Sequence, residues 1–267
     1  MKPEPDYLST NKSLWNQRTQ VHVKSDFYDI PGFLNGKKVL NEPELQLLGD
    51  ITGKKIMHLQ CHFGQDSIEL ARMGGSVTGI DLSDEAIREA RALNEKAGTS
   101  VQFICCDLYD TPVELHETFD MVFSSYGTIA WLPDLDKWAS VIAKCLKPGG
   151  EFVFAEFHPV VWMFDDDFNK VGYNYFNTGP ILENSEGTYT DRNAEIHSPY
   201  YCWNHSLSET LQSLIDNGLN IMHFREYDYS PYNVFRHSYE PEPGKFRIVH
   251  MENKIPMMFT LNAIKPE

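Results

Sequence analysis

Between positions 55 and 157 the chain alternates short apolar runs with segments of helical periodicity. That alternation restricts the fold more than any other feature, because it is the pattern of a parallel sheet covered by helices on both faces. Five runs read as strands: KIMHLQ (55–60), SVTGID (76–81), VQFIC (101–105), FDMVFS (119–124) and EFVFAE (151–156). Each is continuous enough to be buried on both sides. Ser83 is placed to cap a helix with Asp84 and Glu85 in its first turn, an apolar stripe of Ala86, Ile87, Ala90 and Leu93, and Gly98 at its end. Leu135, Trp138, Val141, Ile142, Cys145 and Leu146 share one face of a second helix, which the Lys-Pro-Gly-Gly run at 147–150 stops before the fifth strand.

After His158 the character changes. Trp162, Phe164, Phe168, Tyr173, Tyr175, Phe176, Tyr189, Tyr200, Tyr201 and Trp203 crowd a stretch rich in Asn, Gly and Asp, which reads as an irregular, partly β insertion. A helix returns over 206–217, with Leu207, Leu211, Leu214 and Ile215 at helical spacing and Gly218 beyond it. Strands near 219–227 and 257–264 bring the sheet to seven. The expected organisation is an N-terminal helical cap segment (1–50, with a short helix near 14–21), an α/β core (51–160), the aromatic insertion as a lid (161–205), and a last helix and strands completing the sheet (206–267). The fold class is α/β, a doubly wound and mostly parallel seven-stranded sheet.

Charge and cysteine usage limit the function classes. A formal charge of −15 disfavours attraction to a phosphate backbone, so nucleic acid is not expected as a partner. The five cysteines, Cys61, Cys105, Cys106, Cys145 and Cys202, lack CxxC spacing and read as reduced thiols. The leading MKPEPDYLSTNKSLW has no apolar core of signal-peptide length, and no run approaches the roughly 18 apolar residues of a membrane span, so a cytoplasmic protein with no membrane partner is expected.

In an open α/β sheet the ligand crevice lies beyond the carboxyl ends of the strands, beside the first one. Residues 58–66, HLQCHFGQD, occupy that place with a single glycine, Gly64. A dinucleotide site wants G-x-G-x-x-G, which is absent, so NAD and FAD are disfavoured. Asp81, which ends the second strand, stands near the offset at which an acid accepts hydrogen bonds from ribose hydroxyls. Asp107, after the third strand, can accept from an adenine amino group.

Taken in order, KIMHLQCHFGQDSIELARMGGSVTGIDLS, FICCDL, FDMVFSSYGTIAWL and LKPGGEFVFAEFHPV resemble the class I S-adenosylmethionine (SAM) dependent methyltransferases over about positions 55 to 160. The family's usual first motif looks like LDLGCGTG. This chain has His58, Gln60 and His62 where an acid and two glycines are expected, and is similar to a bacterial subgroup whose loop reads LQCHFG. The resemblance implies a Rossmann-like methyltransferase fold with SAM as cofactor. It implies Asp81 at the ribose, Leu82 on the adenine, Asp107 and Leu108 bounding the base, and Cys61, His62 and Gly64 lining the methionine moiety, with Gln60 hydrogen-bonding its amino-acid end. Ser124, Ser125 and Tyr126 fall where the family meets both the sulfonium and the substrate. With side chains at 60 and 62 the loop either uses ordinary backbone angles or holds strain, and those side chains either bind the cofactor or fill its place.

Methyl transfer from a sulfonium needs mainly positioning and desolvation, with a base required only for a protonated amine or a hydroxyl acceptor. Glu156 and His158, at the end of the fifth strand, are the first candidates for base or substrate ligand, with Tyr126 beside them. His22, His197 and His205 are further titratable groups on segments that can close over the site, and Trp15 and Arg18 can cover the cofactor. The aromatic insertion reads either as a lid or as the core of a small antiparallel layer. No metal is expected: Asp165, Asp167 and Asn169 imitate a calcium loop, but Lys170 and Phe176 replace its glycine and glutamate. The function expected is methylation of a small-molecule acceptor. The rivals are a SAM-binding sensor or scaffold without turnover, and a reductase on the same fold.

Overall fold

The computed structural model describes residues 6–267; the first five positions of the leading stretch lie outside the described residues. The chain opens with helix α1 (Tyr7–His22), followed by α2 (Ile30–Leu34) and α3 (Glu42–Leu48). α1 starts well before the expected position 14, because the Asp6 carboxylate accepts from the Ser9 N–H at 3.2 Å and caps it.

The core follows as β1 (Lys55–Leu59), α4 (Gln65–Arg72), β2 (Ser76–Asp81), α5 (Asp84–Ala97), β3 (Gln102–Cys105), α6 (Thr111–Glu114), β4 (Phe119–Ser125), α7 (Leu135–Cys145) and β5 (Leu146–Phe157). α5 begins and ends as its sequence indicates: the Ser83 hydroxyl accepts from the Ala86 N–H, and Gly98 takes φ 65°. β5 is longer than expected. It starts directly after α7, and the Lys-Pro-Gly-Gly run makes a register shift within the strand, between Phe119↔Leu146 and Met121↔Glu151.

Two hairpins and the closing strands complete the chain. β6 (Ile181–Glu186) pairs antiparallel with β7 (His197–Cys202); α8 (Leu207–Asp216) leads to β8 (Asn220–Tyr227); β9 (Ser238–Glu242) pairs with β10 (Lys245–Ile248); and β11 (Met258–Ile264) re-enters the sheet. The main sheet has seven strands in the order β3-β2-β1-β4-β5-β11-β8, with β11 antiparallel to both its neighbours and the pairs from β3 through β5 parallel. Strand order reverses between β1 and β4, which sets the crevice beyond Leu59 and Ser125.

Side chains alternate strictly between two cores. Met57, Leu59, Val122, Phe152 and Phe154 pack with Trp138 and Ile142 of α7 on one face. Ile56, Met121, Phe123 and Val153 pack with Ile68, Leu70, Ile87 and Leu48 of α4, α5 and α3 on the other. A third cluster, Phe157, Val161, Phe168, Phe235, Ile248 and Met257, joins the 161–205 insertion to the 228–257 segment. That second insertion, carrying β9 and β10, has no counterpart among the elements read from the sequence. Among the described residues no helix is long and apolar enough to cross a membrane.

Candidate functional site

A cavity of about 990 Å³ lies beyond the carboxyl ends of β1 to β4. Its floor is the strand-end loops, with Gln60, Cys61, His62 and Gly64 after β1, Asp81 and Leu82 after β2, Asp107 and Leu108 after β3, and Ser125 and Tyr126 at the end of β4. Its roof is α1, which contributes Trp15 and Arg18, together with both insertions, which contribute Tyr189 and Tyr200 from one and Tyr232 and Phe235 from the other. The aromatic insertion thus both lines the cavity and forms a small layer of its own. β6 and β7 form its small sheet, while Trp162, Phe164, Phe168, Tyr173 and Trp203 face the cavity.

The loop after β1 keeps a glycine backbone without the glycines. Gln60 has φ 53°, His62 φ 51° and Gly64 φ 81°, so the three positions of the glycine pattern are all left-handed. Each of the two side chains there carries about 1 kcal/mol of backbone strain. Gly64 has a further reason to be glycine: a Cβ would stand 2.5 Å from the Phe103 ring.

Contacts around the loop offset the strain. The Gln60 amide donates to the Thr128 carbonyl at 3.0 Å, tying the β1 loop to the β4 loop. The backbone N–H of His62 donates to Asp81 Oδ2 at 2.8 Å, and that of Ser83 to Asp81 Oδ1 at 2.8 Å. His62 Nε2 lies 2.8 Å from His22 Nδ1, and His22 Nε2 lies 2.5 Å from the Thr188 hydroxyl. The His62 ring packs edge-on to Trp15, with centroids 5.3 Å apart. Burial and the nearby Arg18 push the His62 pKa down to about 3, so its ring is neutral.

Three buried polar atoms at the cavity have no hydrogen-bond partner: Gln60 Oε1, His62 Nδ1 and Arg18 Nε. Arg18 sits over the rings of Trp15, Trp131 and Tyr200 and donates to the Ser185 hydroxyl at 3.2 Å. It forms no ion pair among the described residues. Buried polar atoms left unpaired on residues that line a cavity fit a ligand that brings the missing partners. Burial lifts the Asp81 carboxyl to about 6, and also raises that of Asp107, which accepts from the Tyr109 N–H.

Several expected residues stand elsewhere. Ser124 is fully buried beneath the floor, its hydroxyl donating to Thr128 Oγ1, and does not line the cavity. Glu156 does not reach the cavity either. Its carboxylate accepts from the N–H groups of Gly127, Thr128, Ile129 and Phe157 and from the Thr128 hydroxyl, so it clamps the loop after β4 and has no lone pair to offer as a base. His158 is turned away: Nδ1 accepts from the Val160 N–H, which leaves Nε2–H to donate to Glu226 at 2.8 Å. Of the three catalytic candidates only Tyr126 lines the cavity, and its hydroxyl donates to Glu44 at 2.7 Å. His22 acts on the site through His62, and His205 bonds Glu209 and the Leu132 carbonyl. His58, in β1, bonds the Ser67 hydroxyl. Asp165 closes a turn by accepting from the N–H groups of Asn169 and Lys170.

Several cavity residues escaped the sequence reading, Tyr28, Asp66 and Tyr232 among them. Asp66, in the first turn of α4, accepts from the Ser125 hydroxyl at 3.0 Å and has a carboxyl lifted to about 7 by burial and the neighbouring Glu44. An acid in a first helical turn reads as ordinary dipole compensation, which masked it.

Comparison with known proteins bears on these features. Residues 56–150 match the family model described as "Methyltransferase domain". An uncharacterised methyltransferase of Synechocystis is 32% identical over 133 residues, 49% of this chain and 60% of that protein. The mitochondrial ubiquinone biosynthesis O-methyltransferase of Homo sapiens is 26% identical over 239 residues, 86% of this chain and 59% of that protein. The chain thus spans about 60% of the length of these two relatives. The crystal structure of a SAM-dependent methyltransferase from Mesorhizobium loti superposes with a TM-score of 0.57 at 24% identity, over 86% of this chain and 99% of that one. Residues 56–150 are thus similar to a methyltransferase domain, and the fold is the Rossmann-like fold of solved SAM-dependent methyltransferases.

Proposed function

We propose that this protein is a SAM-dependent methyltransferase acting on a small molecule, of the bacterial subgroup whose first loop reads LQCHFG. The observation that carries the reading is the loop itself: left-handed at 60, 62 and 64, it places Gln60 and His62 on the wall of the cavity that Arg18 also lines, and each of the three side chains holds a buried atom without a hydrogen-bond partner. Bound there, the cofactor supplies an activated methyl group on a sulfonium.

Each wall has a part in holding it. Asp81 takes the ribose hydroxyls on the lone pairs its two backbone donors leave free, with Leu82 beside the adenine. Asp107 and Leu108 bound the base. Cys61, His62 and Gly64 surround the methionine moiety, Gln60 Oε1 accepts from its ammonium, and Arg18 holds its carboxylate, with Trp15 covering it. Ser125 and Tyr126 stand between cofactor and acceptor. A cavity of about 990 Å³ is at the upper end of the ~300–1,000 Å³ typical of ligand sites, which suits a cofactor and a small acceptor together. The net charge of −15 disfavours nucleic acid as acceptor, and the relative named for ubiquinone biosynthesis supports a small molecule.

Calorimetric titration of ligand-stripped protein with SAM, S-adenosylhomocysteine and NAD in parallel tests the reading. Micromolar binding of the two adenosyl ligands and none of NAD is expected. Failure to bind either adenosyl ligand would mean that Gln60 and His62 fill the site. Binding without S-adenosylhomocysteine formation from any metabolite fraction would instead favour a sensor.

A further inference from the structure

Asp66 is a carboxylate of the cavity wall with no cation and a single hydrogen-bond donor among the described residues. Its Oδ2 accepts from Ser125, its Oδ1 has no donor among the described residues, and it forms no ion pair among them. The side chain is enveloped by protein yet keeps some exposure, because it opens onto the cavity. Four tyrosines that also line the cavity feel its charge: Tyr28, Tyr126, Tyr189 and Tyr232. Tyr126 and Tyr232 meet edge to face at 5.2 Å, and the hydroxyls of Tyr28 and Tyr189 meet at 2.5 Å. Behind Tyr126 stands a second buried carboxylate, Glu44, held by Asn41 and the Tyr126 hydroxyl.

We propose that the methyl acceptor is an amine, bound as its ammonium against Asp66 among Tyr28, Tyr126, Tyr189 and Tyr232, and that the Asp66 carboxylate takes the proton the amine must lose. The proposal rests on the methyltransferase reading. Two buried carboxylates without a counter-cation repel one another, and a cationic ligand relieves that cost in a way an alcohol cannot. Tyrosine faces favour the same charge. Arg18, the buried cation of the roof, is engaged with Trp15, Trp131, Tyr200 and Ser185 and leaves Asp66 unpaired.

The step balances without any further reagent. The N–H proton of the ammonium passes to an Asp66 oxygen, freeing the nitrogen lone pair. That pair forms the N–C bond to the methyl group as the C–S bond breaks and its electrons remain on sulfur, leaving a neutral thioether and an N-methylated ammonium. Asp66 then returns its proton to solvent through the cavity. Around Asp66 the titratable groups are Glu44 from α3, Glu69 from its own helix, Cys61 from the β1 loop, and the four tyrosines from the segments after α1, after β4, after β6 and after β8. With the carboxyl lifted to about 7, turnover on an amine rises through neutral pH as Asp66 ionises.

The test uses the full chain saturated with S-adenosylhomocysteine and titrated at pH 8 with benzylamine and with benzyl alcohol, a charged and an uncharged probe of the same shape. Benzylamine is expected to bind at least tenfold more tightly. Asp66→Asn should remove that preference while S-adenosylhomocysteine affinity stays within threefold, and Tyr232→Leu should weaken the amine several-fold with the same cofactor control. Equal binding of the two probes, or no amine binding, overturns the proposal. So does an Asp66→Asn loss that falls equally on S-adenosylhomocysteine, which would assign the carboxylate to the cofactor's own ammonium. Failure of the parent protein to bind S-adenosylhomocysteine is a separate result, since it removes the methyltransferase reading beneath the proposal.

Discussion

Gln60→Gly separates the two possible roles of a side chain in the β1 loop. At φ 53° the glutamine backbone is strained by about 1 kcal/mol, which glycine relieves. Against this, glycine adds roughly 0.5–1 kcal/mol of freedom to the unfolded chain, and the 3.0 Å bond to the Thr128 carbonyl is lost at a cost of about 1 kcal/mol. The terms nearly cancel, leaving a net destabilisation of about 1 kcal/mol or less, a shift of roughly 2–4 °C in thermal midpoint for a domain of this size. The ligand balance is different. If Oε1, buried and unpaired, accepts from the cofactor, its removal costs about 1–1.5 kcal/mol of binding, a five- to tenfold rise in the S-adenosylhomocysteine Kd. Differential scanning calorimetry and isothermal titration on the same preparation measure both. An affinity that rises on substitution would refute the reasoning, because it would mean that the glutamine occupies space the ligand needs. His62→Gly is the harsher companion. It gives up the His22 bond and the packing on Trp15, so its midpoint should fall further, and it too should bind no more tightly than the parent.

Glu156→Gln keeps the shape of the β4-loop clamp but turns one acceptor oxygen into a donor facing backbone N–H groups. A loss of about 2–3 kcal/mol in denaturant unfolding is expected, with residual activity following the folded fraction. His158→Ala should change kcat by less than about threefold, since the ring is tied to Glu226 outside the cavity and offers less than the ~10²-fold or more of a general base; a hundredfold drop in steady-state assays would put it back in the chemistry. Asp66 has a folded pKa of about 7 against about 3.9 unfolded, so between those values the folded state binds more protons and is stabilised as pH falls. Asp66→Asn should therefore be more stable than the parent at pH 8, with the advantage shrinking by about 1.4 kcal/mol per pH unit below 7 in urea titrations. An advantage independent of pH would show that the carboxyl is not held above its ordinary range.

The sheet was legible because burial on both faces writes itself into composition. Ile56 and Met57, or Val122 and Phe123, point to opposite cores, so the strands read as unbroken apolar runs bounded by caps such as Ser83 and Gly98. α1 was read short because Tyr7 to Ser13 is mostly polar: it lies between cavity and solvent and has little apolar stripe to show. The 228–257 segment was invisible for a related reason, since Tyr232, Val234 and Phe235 pack against the first insertion rather than along a periodic element of their own.

The site divides by the kind of information each residue carries. That Asp81 and Asp107 line the cavity was legible from position alone, because strand ends in this topology border the crevice. Glu156 and His158 met the same positional criterion yet do not line the cavity, because residue type at a strand end does not say which way the side chain turns. Only the five backbone and hydroxyl donors converging on Glu156 show that it serves the loop. The glycine positions carried more than either. A side chain held at φ 53° or 51° is tolerated only where the surrounding structure requires the turn, so Gln60 and His62 mark a backbone shape that glycine would favour. Both side chains line the cavity and each holds a buried atom without a hydrogen-bond partner, which glycine at those positions would not supply.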